Sequence, residues 1–224
     1  MPLIEVGSPA PAFTLRDQHG EPHALSDYRG RMVVIYFYPE DDTPLCTAQA
    51  CQFRDHHSEF SKIGATVLGI SPQGVDSHLA FADAHALPFT LLADEQNKAG
   101  APKVCTLYGV WAQKNMYGKL VTGMLRTTYL IDQHGTVVKR WDRVKTPGHS
   151  TRVLDAVRAL HRGEKLTVLG QPAKVARSKS SKKKTRTQGG QREYTGVNRS
   201  RAVKSMQRSS GARSRASKAG TRRK

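Results

Sequence analysis

The sequence is poor in cysteine, with three in 224 residues, and it contains no long uninterrupted apolar run. Without about 18 consecutive apolar residues it offers no candidate membrane-spanning helix. The first residues, MPLIEVGSPAP, lack the basic start and the apolar stretch of a secretory signal, so we expect a cytoplasmic protein. An odd number of cysteines in such a chain argues against a structural disulfide framework and for thiols that are buried, catalytic or metal-binding.

Acidic residues are almost absent from the last quarter of the chain. From Gln171 to Lys224 there are 18 Lys or Arg but a single acid, Glu193, so nearly all of the formal charge of +18 lies there. This segment also lacks apolar periodicity and has one aromatic residue, Tyr194. Because it cannot bury enough apolar surface to offset the entropy of ordering, we predict a disordered basic tail over residues 169–224 after a globular domain over residues 1–168.

The predicted domain alternates strand-like and helix-like segments. Buried strands are indicated by three apolar runs: RMVVIYFYP (31–39), ATVLGIS (65–71) and FTLLAD (89–94). Helical spacing of apolar residues predicts four helices: 43–64, 75–87, about 99–108, and an amphipathic one over 149–163.

Turn residues add two predicted hairpins. FTLRDQHGEPHAL forms the first near the start, and RTTYLID and TVVKRWD flank QHG in the second, whereas residues 109–123 are expected to be irregular. The whole order predicts an α/β protein with a thioredoxin-like fold, in which a mixed central sheet is covered by helices on both faces.

Two of the three cysteines stand five positions apart in YPEDDTPLCTAQACQFRD (38–55), just after the first buried strand. Thr43 suits the N-cap of the following helix and Pro44 its first position, which places Cys46 in the first turn. Unsatisfied backbone N–H groups and the helix dipole favour an anion there. Since the thiolate is the reactive form of cysteine, this position suits a nucleophile.

Cys51 lies on the same predicted helix, where its Cα would be roughly 8.6 Å from that of Cys46 and about 140° around the axis. A disulfide needs Cα atoms within about 7 Å, so the pair can bond only if the helix unwinds locally. The C-x4-C spacing without a second pair of ligands is a poor zinc site, and we expect neither a metal nor another cofactor. The spacing alone leaves open both a reaction centre and two unreactive core thiols.

The same segment resembles the peroxiredoxins, whose signature P-x-x-x-T-x-x-C is matched by Pro39, Thr43 and Cys46. A second cysteine five residues on, followed by FRD, is similar to the bacterioferritin comigratory protein, or peroxiredoxin Q, subfamily. Further matches in the same order extend the resemblance from about residue 9 to residue 160: LGISP, FTLLAD, YGVW, RTTYLID and the GH before the last helix.

The resemblance implies a thiol peroxidase that acts on hydrogen peroxide and organic hydroperoxides. It makes Cys46 the peroxidatic nucleophile and Cys51 the resolving thiol. It makes Thr43 a donor to the thiolate and the peroxide, Arg126 the guanidinium that holds Cys46 as an anion, and Pro39 a shield of the site. The resemblance also implies recycling by thioredoxin or a similar dithiol, and a monomer. Without such a role, an arginine that opens a buried strand would be an odd placement, and an exposed arginine at a strand end is the alternative.

Two departures from the family pattern qualify the resemblance. Many relatives have glycine where this chain has Leu45, which is expected to alter peroxide access. Many have glutamate where it has Gln49, which removes a charge from the hydrogen-bond network. Cys105, in KVCTLYG, is interpreted as a buried inert thiol, with a role as substitute resolving cysteine as the alternative.

The density of Lys and Arg in residues 169–224 predicts salt-sensitive, sequence-independent binding to nucleic acid. A solvated tail without a partner, an anionic membrane surface and a targeting signal are the alternatives. If the tail binds DNA, the protein is expected at the nucleoid, or in the nucleus of a eukaryote. The competing function for the whole chain is a nucleic-acid-binding protein whose thioredoxin-like domain has only incidental redox activity.

Overall fold

The computed structural model describes residues 1–98, 100–116, 118–164 and 166. The predicted disordered tail (169–224) and its boundary with the domain lie outside the described residues. Of the helices in the described part, none is both long and apolar enough to cross a membrane.

A mixed seven-stranded sheet forms the centre of the described chain, with the order β2-β1-β5-β4-β3-β8-β9. Its strands are β1 (Thr14–Asp17), β2 (Pro22–Ala24), β3 (Met32–Phe37), β4 (Ala65–Ser71), β5 (Thr90–Ala93), β8 (Thr127–Ile131) and β9 (Val137–Trp141). β3, β4 and β5 are parallel, and β1, β2, β8 and β9 join by antiparallel pairing. The three predicted buried strands and both predicted hairpins are confirmed.

Of the two edge strands of this sheet, β2 is short and β9 is charged. β2 is three residues long and begins at Pro22, which has no N–H to donate. β9, at the opposite edge, carries Lys139 and Arg140.

Each face of the sheet packs on its own hydrophobic core, because side chains alternate along a strand. On β3, Val34 and Tyr36 belong to one core, whereas Ile35 and Phe37 belong to the other. The first core is closed by α1 (Pro44–Asp55), α2 (His57–Lys62), α3 (Val75–Ala84) and α5 (His149–His161), and the second includes α4 (Lys103–Leu107). Helices therefore cover both faces, as predicted.

The first predicted helix, over 43–64, is interrupted. It begins as expected at Pro44 after Thr43, but α1 ends at Asp55 and α2 starts at His57. His56 between them has φ −99° and ψ 1°, outside the helical values. The apolar spacing continues through this break, since Phe53 and Phe60 both face the first core, and for that reason the sequence pattern did not show it.

The prediction that residues 109–123 are irregular is wrong. β6 (Trp111–Met116) and β7 (Lys119–Met124) pair there as a separate antiparallel hairpin. The turn includes Gly118 at a φ of 84°, a value that glycine adopts without strain. Most of β7 is exposed or half-buried, so its residues show no alternation of apolar and polar side chains.

Candidate active site

The register of the sheet brings together two segments that are far apart in sequence. β3 ends at Phe37, whose partner on the antiparallel strand β8 is Thr127. The loop that follows β3 and leads into α1 therefore lies beside Arg126, the residue just before β8. This arrangement places the first turn of α1 within reach of the Arg126 side chain.

Cys46 lies in that first turn and is 1% exposed. Its backbone N–H donates to the carbonyl of Thr43 over 3.0 Å, in the tight opening turn of α1. The thiol is therefore shielded from bulk water at the positive end of a helix dipole.

Arg126 contacts the thiol directly. Its Nη2 lies 3.0 Å from Sγ of Cys46, and its Nη1 donates to Oε1 of Gln49, one turn further along α1. A guanidinium at this distance offers a charge-assisted hydrogen bond to a thiolate. Gln49 was recognised in the sequence only as a departure from relatives, and the structure shows that it fixes the second arm of the guanidinium.

Gln49 is completely buried, and its Nε2 has no hydrogen-bond partner among the described residues. A carboxylate at this position would leave no donor unsatisfied, because an ionised carboxylate has no N–H or O–H group. Because Gln49 is neutral, no carboxylate offsets the positive charge of Arg126 within the Cys46–Arg126–Gln49 contacts.

Thr43 and Pro39 flank the site in the loop before α1. The Thr43 hydroxyl donates to the carbonyl of Glu40 over 3.1 Å, and it makes no capping bond to α1. The N-cap position predicted for Thr43 is confirmed, but its side chain hydrogen-bonds within the loop and does not cap the helix. Pro39 is half-buried, one residue beyond the buried Tyr38.

Cys51 lies five residues beyond Cys46 on the unbroken helix α1, and it is half-buried. Both thiols are free, without a disulfide. Since helix geometry separates Cα atoms five residues apart by more than a disulfide allows, part of α1 must unwind before the two sulfurs can bond.

His149, the first residue of α5, is a buried polar group close to the site. Its Nε2 lies 2.9 Å from the Thr128 hydroxyl, and its ring packs edge-on against Phe53 of α1. Burial, together with the smaller effect of the positive charges of Arg152 and Arg126, lowers the pKa of His149 to about 3. His149 is therefore neutral at physiological pH, so it adds no charge beside Arg126. The sequence signalled it only through the GH before the last helix.

Cys105 lies away from this arrangement. It is fully buried in the second core, whereas Cys46 is buried in the first. Burial and the neighbouring carboxylate of Asp94 raise the pKa of the Cys105 thiol well above its usual value. Within the part of the chain that the structure describes, no group of three or more His, Cys, Asp or Glu side chains could hold a metal ion.

Comparison with known proteins places this site in a family. The model of the AhpC/TSA family matches residues 6–140. The chain belongs to this family. Peroxiredoxin Bcp of Bacillus subtilis is 41% identical over 155 residues, which are 69% of this chain and 96% of the relative. Peroxiredoxin Bcp of Escherichia coli K12 is 41% identical over 152 residues, 68% of this chain and 94% of the relative.

Solved structures agree with this assignment. The bacterioferritin comigratory protein of Xanthomonas campestris, described for its alkyl peroxide reduction activity, is 38% identical with a TM-score of 0.62 over 66% of this chain and 92% of that one. A mutant of Xylella fastidiosa PrxQ is 32% identical with a TM-score of 0.65 over 71% of this chain and 99% of that one. The resemblance to bacterioferritin comigratory proteins and the thioredoxin-like fold are confirmed, and this peroxiredoxin is a peroxidase.

Proposed function

We propose that this peroxiredoxin reduces hydrogen peroxide and organic hydroperoxides with Cys46 as its nucleophile. The observation that carries the proposal is the 3.0 Å contact between Nη2 of Arg126 and Sγ of Cys46, at the N-terminus of α1. A positive donor and a helix N-terminus both favour the sulfur as an anion, the form that attacks a peroxide. The activity of the Xanthomonas campestris relative on alkyl peroxides supports the substrate class.

In the first step the Cys46 thiolate attacks the terminal oxygen of the peroxide. The O–O bond breaks, the alkoxide or hydroxide that leaves takes up a proton, and Cys46 becomes a sulfenic acid. Negative charge moves from the sulfur onto the leaving oxygen. The Arg126 guanidinium can stabilise this charge first on the sulfur and then on the oxygen. Thr43 and Pro39 are proposed to border the peroxide, Thr43 as a hydroxyl donor after it leaves Glu40, and Pro39 as an apolar wall.

In the second step the Cys51 thiolate attacks the Cys46 sulfenic sulfur. A disulfide forms, and the sulfenic oxygen leaves as water with a proton. The continuous helix from Pro44 to Asp55 supports a step in which α1 unwinds before this bond forms. A dithiol protein such as thioredoxin then exchanges with the disulfide and restores both thiols.

Three measurements test this cycle. Stopped-flow consumption of peroxide should be lost in Cys46→Ser, and undiminished turnover in that variant would reject Cys46 as the nucleophile. Treating the reduced protein with one equivalent of peroxide and mapping peptides by mass spectrometry should give a Cys46–Cys51 bridge. A persistent Cys46 sulfenic acid, or a bridge to Cys105, would show that Cys51 is not the resolving thiol. Turnover with thioredoxin, thioredoxin reductase and NADPH tests the reductant.

For the basic segment 169–224 we propose non-specific binding to nucleic acid, which would hold the peroxidase close to DNA in the cytoplasm. The support is its charge: 18 of the 36 Lys and Arg lie from Gln171 onward, beside one acid. Neutralising many phosphates releases counterions, so affinity should fall steeply with salt. In gel shifts at low salt the full chain should retain DNA and a chain truncated after Gly170 should not. Equal retention by the two would remove this proposal.

We further propose that the protein works as a monomer, as the subfamily resemblance implies. Both thiols of the proposed cycle lie on one helix of one chain, so no second copy is needed for the reaction. Light scattering of the reduced protein should give the mass of one chain, 24.7 kDa. A mass twice as large would contradict the proposal.

A further inference from the structure

A buried cluster of polar side chains lies next to the catalytic loop and takes no part in the chemistry proposed above. Asp41, two residues beyond Pro39, is nearly buried, and His78 of α3 is fully buried. Oδ2 of Asp41 lies 2.8 Å from Nδ1 of His78 and 2.6 Å from the Ser77 hydroxyl. Its other oxygen, Oδ1, accepts a 2.7 Å hydrogen bond from the hydroxyl of Tyr38.

His78 makes contacts through both ring nitrogens. Its Nε2 lies 3.2 Å from the carbonyl oxygen of Leu92, and its Nδ1 faces Asp41. Burial by itself raises the pKa of Asp41, but hydrogen bonds from His78, Ser77 and Tyr38 outweigh burial and lower the pKa below its usual value. Asp41 is therefore ionised, and the His78 ring is one of three side chains that hold its carboxylate.

The pair joins two parts of the fold that the chain alone would leave independent. Asp41 belongs to the loop between β3 and α1, and His78 lies in the middle of α3, 37 residues later. The next loop residue, Asp42, has a φ of 54°, a left-handed conformation that a non-glycine residue holds only when its surroundings impose it. Oδ1 of Asp42 lies 2.8 Å from Nε2 of His85, directly after α3.

The C-terminal end of α1 is also hydrogen-bonded to His85, the residue after α3. Nη1 of Arg54, in the last turn of α1, donates over 2.8 Å to the carbonyl of His85. α3 and the residue after it thus hold α1 at both ends, through Asp41 and Asp42 before the helix and Arg54 in its last turn. The Asp42–His85 pair is partly exposed, whereas the Asp41–His78 pair is buried and protected from screening by water and salt.

We propose that His78 is a positioning residue for the peroxidase reaction: its buried ring fixes Asp41, and with it the loop that carries Pro39 and Thr43 and starts α1. This proposal rests on the function proposed for Cys46. The wound form of α1 keeps Cys46 beside Arg126, and the unwound form lets Cys51 reach Cys46. The Asp41–His78 pair favours the wound form, so it speeds the reaction with peroxide and slows the formation of the disulfide.

The closing experiment compares wild type with His78→Leu, which leaves Asp41 buried and without its hydrogen-bond partner on α3. Rapid quenching and mass spectrometry measure two rates in each protein: oxidation of Cys46 by peroxide, and bridging of Cys46 to Cys51. In His78→Leu, oxidation should be slower by about tenfold or more, because the reacting groups are no longer held in place. Bridging should become faster. His78→Asn, which keeps a donor toward Asp41, should recover much of the oxidation rate.

Val157→Ala is the matched control, since it removes buried apolar atoms from α5 without touching the loop or α3. It should lower the melting temperature while both rates stay within about twofold of wild type. If His78→Leu does not fold, Ser77→Ala still tests the proposal, because it removes a hydrogen bond to the same oxygen of Asp41, and it should show slower oxidation together with faster bridging.

Oxidation of Cys46 within twofold of wild type in His78→Leu, or in Ser77→Ala if His78→Leu does not fold, would overturn the proposal. No oxidation of Cys46 in wild type would instead reject the function proposed for Cys46, so the two failures are distinguishable.

Discussion

Cys46 and Cys105 are buried on opposite faces of the central sheet. The strand β3 separates them, with Val34 and Tyr36 on the side of Cys46 and Ile35 and Phe37 on the side of Cys105. A bond between these two sulfurs would require the sheet itself to open. The structure therefore supports the interpretation of Cys105 as a buried inert thiol over that of a substitute resolving cysteine.

Iodoacetamide at pH 8 should leave Cys105 unmodified in the folded protein. Its thiol is fully buried, and burial together with the charge of Asp94 raises its pKa well above the usual value, so little thiolate is available. Peptide mass spectrometry should find the half-buried Cys51 labelled in the folded protein, and Cys105 labelled only after urea is added. Labelling of Cys105 at a similar rate in the folded protein would show that the second core opens. Cys105→Ala should keep peroxide turnover within about twofold of wild type.

Arg126→Lys should lower kcat/KM for peroxide by about 100-fold, comparable to the loss of one donor from an oxyanion site. Lysine keeps the charge, but a single ammonium group cannot reproduce the planar fork that reaches both Sγ of Cys46 and Oε1 of Gln49. Steady-state kinetics with a coupled reductant measure the effect. The control is Arg140→Lys on β9, which should change the rate by less than about twofold. Equal rates for Arg126→Lys and wild type would place the guanidinium outside the reaction.

Gln49→Glu should slow the reaction of Cys46 with peroxide several-fold at pH 6, with a smaller difference at pH 8. The new carboxylate would form an ion pair with Arg126 and add negative charge beside a sulfur that must itself become an anion. Gln49→Met is the control: it removes the partner of Nη1 without adding charge, so it should slow the reaction about equally at both pH values. A Gln49→Glu rate that exceeds wild type at pH 6 would contradict this account.

Stability should fall as the pH is lowered from about 6.5, partly because of His149. In the unfolded chain this histidine takes up a proton near pH 6.5, but in the folded protein its pKa is about 3. Between these values the unfolded state binds more protons, so the free energy of unfolding decreases as the pH falls, by up to about 1.4 kcal/mol per pH unit. The contribution is fully present above pH 6.5 and is lost progressively toward pH 3.

Urea unfolding of wild type and His149→Gln at pH 6 and pH 4.5 measures this contribution. The loss of stability in wild type should exceed the loss in His149→Gln by about 2 kcal/mol. Glutamine is chosen because its amide can still bond the Thr128 hydroxyl. The same loss in both proteins would mean that His149 is protonated in the folded state.

The sequence predicts the parts of this fold whose signals are local. Buried strands such as 31–39 show as apolar runs, and the start of α1 shows in Thr43 and Pro44 because capping and proline preferences act within a few residues. The β6–β7 hairpin was not found because its residues are mostly exposed or half-buried, so the pattern on which strand prediction relies is missing.

The features of the site also divide into those that local sequence predicts and those that depend on packing between distant elements. The position of Cys46 in the first turn follows from local sequence, but its contact with Arg126 depends on the register of β3 and β8, and only the family resemblance indicated it. Nothing local distinguishes His78, whose role depends on Asp41 37 residues earlier. Contacts set by packing between distant elements have no signature in a single sequence.

The two edge strands of the sheet, β2 and β9, have a consequence for the proposed cycle, in which α1 unwinds at each turnover. Each turnover would expose backbone groups and apolar side chains of α1 that could recruit an extended segment of another molecule. A sheet edge is where such a segment would add as a further strand. Pro22 removes a donor from one edge, and at the other edge the backbone of Val137 is already hydrogen-bonded to Gly7 and Ser8. Both edges of the sheet therefore disfavour the addition of a strand from another molecule.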